Sequence, residues 1–259
     1  MDTSDIIDEV SAPLLGLPVY LAGSLAAEEA YSKINAHDDV DLFCSTEQVL
    51  FIAVQRLLSA GYTFKERFDR VWERWLRYGF KRWHTNSIKL ISPAGNEVNV
   101  VYKLVDGHPT TSLGQVLESF DFGLLGVGYD LETKTKRDMR EYLFPGLDPM
   151  GPLPFMPNKQ QGWKHGFISQ YNGLREPGRY AKYARYGYDM SAVKTDLIAG
   201  FWIAADYHSL SDKEDKAALG KIYEVTANLI EDDSFDKLFD ASKKILFMDS
   251  LDLIMAELE

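Results

Sequence analysis

Two carboxylates and a Gly-Ser pair in the first fifth of the chain have residue types and a spacing suited to metal and phosphate chemistry. Asp39 and Asp41 are separated by one valine. In an extended strand they would share one face and suit Mg²⁺ or Mn²⁺, because Mg²⁺ is usually held by one or two carboxylates plus substrate phosphates. Gly23 and Ser24 follow the apolar run 18–22. A glycine there lets a phosphate approach the backbone, and the serine hydroxyl and first helical N–H groups can donate to it.

A Gly-Ser turn followed by an Asp-x-Asp strand resembles the nucleotidyltransferases of the DNA polymerase beta superfamily. The resemblance implies that Gly23 and Ser24 hold the triphosphate of an NTP substrate, and that Asp39 and Asp41 bind the metal ions of a nucleotidyl transfer. The gap between turn and carboxylates is a few residues longer here than in compact members of the family. The family's next strand bears a third carboxylate, but Asn99 stands at the centre of the corresponding strand. Asparagine can coordinate a metal yet cannot accept a proton at neutral pH.

Two later segments resemble a branch of the superfamily that is often encoded by phages and mobile elements. In that branch an amide occupies the third-carboxylate position and a helix leads into a Phe-Asp-Phe strand, which implies that Asp121 supplies the missing carboxylate. The alternative is that Asp121 caps a turn or pairs with an arginine. Arg179, Lys182 and Tyr183 match a basic segment of the same branch, which implies contact with nucleotide or acceptor. A solvated helix face balancing the acidic helices beyond would explain the same stripe.

The stretch from Lys65 to His84 interleaves seven Lys and Arg residues with six aromatic residues. Phe68, Trp72 and Trp75 lie at i, i+4 and i+7, a spacing typical of the core-facing stripe of a helix. The other interpretation is that the arginines grip phosphates and the rings stack on bases. The composition leaves both interpretations open.

The pattern of predicted helices and strands indicates an α/β (α+β) fold with a C-terminal helical bundle. Together with the resemblance, it implies a small mixed-sheet nucleotidyltransferase core with helices. Thr46 is a suitable N-cap for a helix that stops near Gly61. A hairpin is predicted across the Pro-Ala-Gly-Asn turn at 93–96. The predicted helices cover 4–15, a short segment after Ser24, 47–60, 192–207, 213–230 and 235–258; the predicted strands cover 18–22, 40–44, 87–92, 97–102 and 119–129.

A proline-rich segment divides the chain. Five of the ten prolines fall between residues 144 and 162. Such a segment cannot form a helix or a central strand, because proline lacks the backbone N–H. We therefore predict a nucleotidyltransferase-like core over 1–145, a linker or wrapping loop over 146–162, and a helical domain over 163–259.

Composition restricts the class of protein. A net charge of −11 argues against a protein that coats nucleic acid by charge alone. The charge is uneven, since residues 189–259 hold 16 Asp and Glu against 7 Lys. The single cysteine cannot form an intramolecular disulfide, no apolar run is long enough to span a membrane, and the acidic N-terminus does not resemble a signal peptide. These features predict a cytoplasmic protein without a membrane partner.

The leading hypothesis is a Mg²⁺-dependent nucleotidyltransferase that moves a nucleotidyl group from an NTP to a hydroxyl or phosphate acceptor. The sequence does not distinguish RNA, DNA, a small molecule and a protein as that acceptor. The alternative, motivated by Asn99 and the acidic C-terminal half, is a catalytically degenerate nucleotidyltransferase-fold protein acting as a binding, inhibitory or regulatory partner. A third hypothesis is a partner of another nucleotidyltransferase, as in toxin–antitoxin pairs of this superfamily.

Overall fold

The chain divides into two compact units, residues 1–151 with 157–162 and residues 152–156 with 163–259. The predicted linker 146–162 lies outside the described residues. The computed structural model describes residues 3–33, 37–76, 79–105, 107–120, 123–139, 175–188, 190, 194–195, 197–199, 201–202, 205–206, 214–245 and 256–257.

The first unit begins much as the apolar periodicity predicts. The Thr46 side chain accepts a hydrogen bond from the backbone N–H of Val49 at 3.1 Å, so the predicted N-cap is confirmed. The chain then turns at Gly61, where φ is +94°. In chain order the elements are α1 (Thr3–Ser11), a 3-10 turn (Ala12–Leu14), β1 (Val19–Ala22), α2 (Ser24–Ala30), β2 (Val40–Cys44) and α3 (Glu47–Ser59).

The rest of the first unit is mostly strand. The hairpin predicted across 93–96 is confirmed as the pairing of β4 with β5. The strand predicted from Ser119 is wrong at its start, because the N–H groups of Ser119 and Phe120 bond to the carbonyls of Val116 and Leu117 and continue the helical turn. The elements are β3 (Thr63–Leu76), β4 (Gly79–Ile91), β5 (Glu97–Val105), β6 (His108–Pro109), α4 (Leu113–Glu118), a 3-10 turn (Gly123–Leu125), β7 (Val127–Asp130) and β8 (Thr135–Asp138).

The helix predicted from Phe68, Trp72 and Trp75 is wrong, since the structure pairs this stretch as two antiparallel strands. β3 and β4 are in register from Thr63 opposite Ile91 to the end of the hairpin, with one bulge in β3. The spacing of three rings fits a helical period by coincidence, and aromatic residues favour strands when a partner strand is available. That partner is the following segment of the chain.

All the strands belong to one mixed sheet in the order β3-β4-β5-β2-β1-β7-β8, and β6 adds to β5. The β2–β5 pairing is parallel, and the other pairings are antiparallel. Helices and a mixed sheet in one unit confirm the mixed α/β class.

The two faces of the sheet differ in character. One face packs against α1 and α3, and its buried residues include Leu21, Leu42, Leu90, Val98 and Val100. The opposite face carries one set of residues in register across four strands, and we name it the carboxylate face. The set is Ala22, Asp41, Asn99 and Lys89.

The described part of the second unit is helical. It contains α5 (Arg175–Arg185), α6 (Glu214–Glu231) and α7 (Phe235–Ile245). Helices α5 and α7 pack together, and the ring of Tyr180 on α5 meets that of Phe235 on α7 edge to face at 5.6 Å. The described residues between 194 and 206 are also helical. Among the helices described in either unit, none combines the length and the apolar character needed to cross a membrane.

Candidate functional site

The predicted Gly-Ser turn lies directly against one of the predicted carboxylates. Gly23 ends β1 with φ 96° and ψ −154°, a conformation essentially restricted to glycine. A Cβ atom at this position would lie 2.7 Å from Oδ2 of Asp41. The pairing of Ala22 with Asp41 between β1 and β2 brings the two together. Only a glycine therefore fits between strand β1 and helix α2.

Asn99 lies beside Asp41, as the alternation of its strand predicts. The two residues are in register in the parallel pair β2–β5, and Nδ2 of Asn99 donates a hydrogen bond to Oδ1 of Asp41 at 2.9 Å. The amide thus occupies the position next to the central carboxylate, and it orients one of the two carboxylate oxygens. Its own carbonyl oxygen, Oδ1, is buried.

Two buried oxygen atoms, one on the residue after Gly23 and one on the amide that bonds to Asp41, have no hydrogen-bond partner among the described residues. They are Oγ of Ser24, whose residue is 4% exposed, and Oδ1 of Asn99. Buried polar groups are nearly always paired, so unpaired ones indicate a strained site or a missing ligand. A serine hydroxyl can donate to a phosphate, and an amide oxygen can coordinate a hard cation.

Lys89 adds a cation next to Asp39 that the sequence analysis did not identify. Its ammonium donates to Oε1 of Glu97 at 2.5 Å and lies 3.6 Å from Glu66. Burial lowers the pKa of Lys89, but the hydrogen bond to Glu97 and the Asp39 and Glu66 carboxylates outweigh it, so that the pKa is raised. Lys89 therefore stays charged. The feature of the sequence that could have identified Lys89 is its position at the centre of the predicted strand 87–92.

Glu28 forms a buried polar cluster one helical turn beyond Ser24. The residue is 3% exposed, accepts a hydrogen bond from Oγ1 of Thr3 at 2.8 Å, and bonds to Nδ1 of His37 at 2.6 Å. The cluster joins α1, α2 and the segment that leads into Asp39. His37 lies in the loop before β2, and its bond to Glu28 gives it a positioning role. Glu28 could have been identified from the sequence by its four-residue spacing from Ser24, because residues four apart lie on one face of a helix.

The carboxylates alone do not make a complete metal site. Over the described ranges, no group of three or more His, Cys, Asp or Glu side chains is arranged to hold a metal ion. Asp39, Asp41 and the amide oxygen of Asn99 offer three oxygen ligands of the type that Mg²⁺ prefers. Phosphate oxygens of a substrate would fill the remaining positions, as is usual for Mg²⁺.

The other predicted site residues belong to other parts of the chain. Asp121 lies outside the described residues, so its role stays a prediction. Arg179, Lys182 and Tyr183 belong to α5 in the second unit. Tyr183 is buried there, and the Lys182 ammonium lies 5.9 Å from the centre of its ring. Their contact with nucleotide also stays a prediction.

The basic stripe of α5 has a structural explanation at one end. Nε of Arg185 lies 3.1 Å from Oδ1 of Asp236, and its guanidinium lies 4.6 Å from the centre of the Phe239 ring. Both partners are on α7, so Arg185 contributes to helix packing as well as to the charge of the stripe.

Comparison with known proteins adds no relative. No family model, curated protein or solved structure matches the chain. The functional argument therefore depends on the residues and their geometry.

Replacing Gly23 with alanine is expected to destabilise the protein more than the same change at Gly95. The φ angles are +96° and +91°, so both changes strain the backbone, but nothing lies within 4 Å of a Cβ at Gly95. We expect losses in the free energy of unfolding of about 1 kcal/mol for Gly95→Ala and roughly 2–3 kcal/mol for Gly23→Ala, measured by urea denaturation. Equal losses would contradict the close approach of Gly23 to Asp41.

The bonds to Glu97 are expected to make stability depend on pH. Burial raises the pKa of Glu97, but hydrogen bonds from Lys65 and Lys89 outweigh it, so the pKa is lowered. A lowered pKa stabilises the folded state above the unfolded-state value and loses that effect as pH falls through the folded-state value. Glu97→Gln should therefore be less stable than wild type at pH 7, and the difference should shrink between about pH 5 and pH 3.

The measurement is urea denaturation across that pH range. Glu132→Gln is the matched control, because Glu132 is an exposed carboxylate in the β7–β8 turn. Its free energy of unfolding should follow wild type at every pH. A Glu97→Gln difference that stays constant down to pH 3 would show that Lys65 and Lys89 do not stabilise this carboxylate.

Proposed function

We propose that the protein is a Mg²⁺-dependent nucleotidyltransferase that moves a nucleotidyl group from an NTP to a hydroxyl or phosphate acceptor. The first unit is then a nucleotidyltransferase core, and the second is a C-terminal helical bundle. The observation that carries the proposal is the group formed by Gly23, Ser24, Asp41 and Asn99. Within the described part of the chain, the buried oxygens Oγ of Ser24 and Oδ1 of Asn99 have no hydrogen-bond partner.

Each residue of that group has a task in such a transfer. Gly23 leaves room for a phosphate at the start of α2, and the Ser24 hydroxyl donates to it. Asp39, Asp41 and the Asn99 carbonyl hold the cation. When bound, Mg²⁺ would neutralise charge on the triphosphate and polarise the reacting oxygens. Lys89 adds a fixed positive charge beside Asp39.

The transfer itself exchanges one P–O bond for another. The acceptor oxygen bonds to the α-phosphorus, the bond from that phosphorus to the bridging oxygen breaks, and pyrophosphate leaves. A hydroxyl acceptor also loses its proton. Asn99 cannot take that proton, so a carboxylate must do so. Among the described residues, Asp39 is the candidate for accepting this proton. Asp121, which lies outside the described residues, is the candidate predicted from the sequence.

The second candidate function is a degenerate nucleotidyltransferase-fold protein that binds a partner without turnover. The hydrogen bond from Asn99 to Asp41 favours it, because the amide replaces the third carboxylate and already occupies one oxygen of the second. The two functions differ in whether α-phosphate label is transferred.

Asp41→Asn is expected to weaken Mg²⁺-dependent NTP binding by at least about tenfold, because a ligand charge is lost while the side chain keeps its size. The measurement is titration calorimetry with each NTP as a non-hydrolysable α,β-methylene analogue, with and without Mg²⁺. Asp38→Asn is the matched control, since Asp38 is an exposed acid beside Asp39. It should bind as wild type does. Absence of binding to all three proteins would refute the proposed site.

Turnover is tested with NTPs labelled at either the α- or the γ-phosphate, incubated with total RNA, with small alcohols and with the protein alone. The proposal predicts a product that carries the α-label and not the γ-label, together with release of pyrophosphate. The Asp41→Asn variant should form neither the labelled product nor pyrophosphate. Metal-dependent NTP binding without transfer to any of these acceptors would favour the degenerate protein instead.

Asn99→Asp is expected to destabilise the protein in the absence of divalent cations and to be rescued by Mg²⁺. The substitution would place two carboxylates at the present 2.9 Å contact, where they repel each other unless a cation lies between them. Asn86→Asp is the matched control, because buried Asn86 donates to Oε1 of Glu47 at 3.2 Å away from the site.

The melting temperatures of both variants should fall in EDTA. Added Mg²⁺, at concentrations that do not change the wild-type melting temperature, should raise only that of Asn99→Asp. Equal rescue of both variants, or of neither, would contradict a cation position between residues 41 and 99.

A further inference from the structure

The hairpin of β3 and β4 extends beyond the rest of the sheet. β4 pairs with β5 only as far as Trp83 opposite Val105, whereas the β3–β4 pairing continues to Leu76 opposite Gly79. Among the strands that the structure describes, none lies beside the last four register pairs, about 13 Å of strand. We name residues 68–76 and 79–87 the ribbon.

The register sorts the charged residues of the ribbon between its two faces. Directly opposite positions, and positions two apart on one strand, belong to the same face. One face holds ten positions, of which three are Lys or Arg and none is Asp or Glu. These positions are Phe68, Arg70, Trp72, Arg74, Leu76, Gly79, Lys81, Trp83, Thr85 and Ser87.

The other face of the ribbon has balanced charges. Glu73 is in register with Arg82, and Nε2 of His84 bonds to Oδ1 of Asp69 at 2.6 Å. Asp69 and Glu73, the acids that alternate with the arginines in the sequence, therefore belong to positions of this second face. The first face keeps an excess of three positive charges in a chain whose net charge is −11.

The first face of the ribbon, which has the excess of cations, is continuous with the carboxylate face of the sheet. Lys89 is in register with Asn99 on β5 and with Glu66 on β3. Alternate residues of a strand share a face, so Ser87 on β4 lies on the same face as Lys89, and Phe68 on β3 lies on the same face as Glu66. The Lys89 ammonium lies 5.8 Å from the centre of the Phe68 ring, which agrees with this parity. The ribbon and the candidate site thus belong to one side of the sheet.

We propose that this face of the ribbon binds single-stranded nucleic acid. On β3, rings and cations alternate along this face from Phe68 to Arg74, with neighbouring positions two residues or about 7 Å apart. On β4 the face adds Lys81 and Trp83. Arg and Lys attract the phosphates, and Trp72 and Trp83, opposite each other in the register, offer stacking to bases. Bases in a duplex are already stacked on each other, so the rings favour a single strand. The inference requires neither NTP nor metal and is independent of nucleotidyl transfer.

Fluorescence anisotropy tests this with labelled 20-nucleotide probes, oligo-U and oligo-dT, and a 20-base-pair duplex of mixed sequence. We expect saturable binding of the single strands by wild type at micromolar concentration, and weaker binding of the duplex. Arg70→Ala/Arg74→Ala/Lys81→Ala should weaken single-strand binding at least tenfold. Removing three phosphate contacts should also lower the slope of log K against log salt by about 2.

Two matched comparisons separate the face from the ribbon as a whole. Arg74→Ala is compared with Arg82→Ala, because Arg74 and Arg82 are near neighbours in the register but lie at positions of opposite faces. Only Arg74→Ala should weaken binding. Trp72→Leu should weaken binding about fivefold or more, whereas Trp72→Phe keeps a stacking ring and should bind nearly as wild type does. Melting temperatures establish that each variant is folded.

Several outcomes would overturn the inference. These are no saturable binding by wild type, equal losses in Arg74→Ala and Arg82→Ala, a duplex bound as tightly as the single strands, or a polyglutamate of equal charge bound as tightly as oligo-U. Tighter binding of oligo-U than of oligo-dT would assign the surface to RNA, and equal binding would assign it to the phosphates and bases that both share. Because the assay contains no NTP, its result is separate from that of the transfer experiment.

Discussion

The contact between Gly23 and Asp41 is the constraint on which the rest of the candidate site depends. It follows from the antiparallel pairing of β1 with β2, which brings the end of one strand against the side chain of the other. The positive φ of Gly23 then turns the chain into α2, so that Ser24 begins the helix beside the carboxylate. Parallel pairing of β2 with β5 adds Asn99 on the other side. Any side chain at position 23 would separate these groups.

A second constraint holds the segment before Asp39. Burying a carboxylate is costly unless it is hydrogen-bonded, and Glu28 has two partners from elements distant in sequence, Thr3 and His37. The bond to His37 anchors the long connection between α2 and β2 close to its C-terminal end. The extra length of this connection, noted from the sequence, therefore does not leave the carboxylate strand unsupported.

Local signals in the sequence predicted the elements that carry the candidate site better than they predicted the rest of the sheet. The β1 and β2 strands, the Thr46 cap and the β4–β5 hairpin depend on short-range patterns of apolar alternation and turn residues, and they were confirmed. The β3–β4 pairing depends on a partner strand, and its aromatic residues also fit a helical period, so a helix was predicted wrongly. Lys89 was missed because its importance comes from Asp39 and Glu97, which only the sheet brings near it.

Register, rather than neighbourhood in the sequence, decides where positive charge accumulates in this acidic chain. Asp69 and Glu73 alternate with arginines along β3, yet the strand pairing assigns them to the face opposite Arg70 and Arg74. Exposed charges more than about 8 Å apart are largely screened at physiological ionic strength, so the net charge of a chain does not by itself decide the charge of a local surface. A sheet can therefore hold carboxylates at one end of a face and only cations at the other, and the two ends suit different parts of a phosphate-bearing ligand.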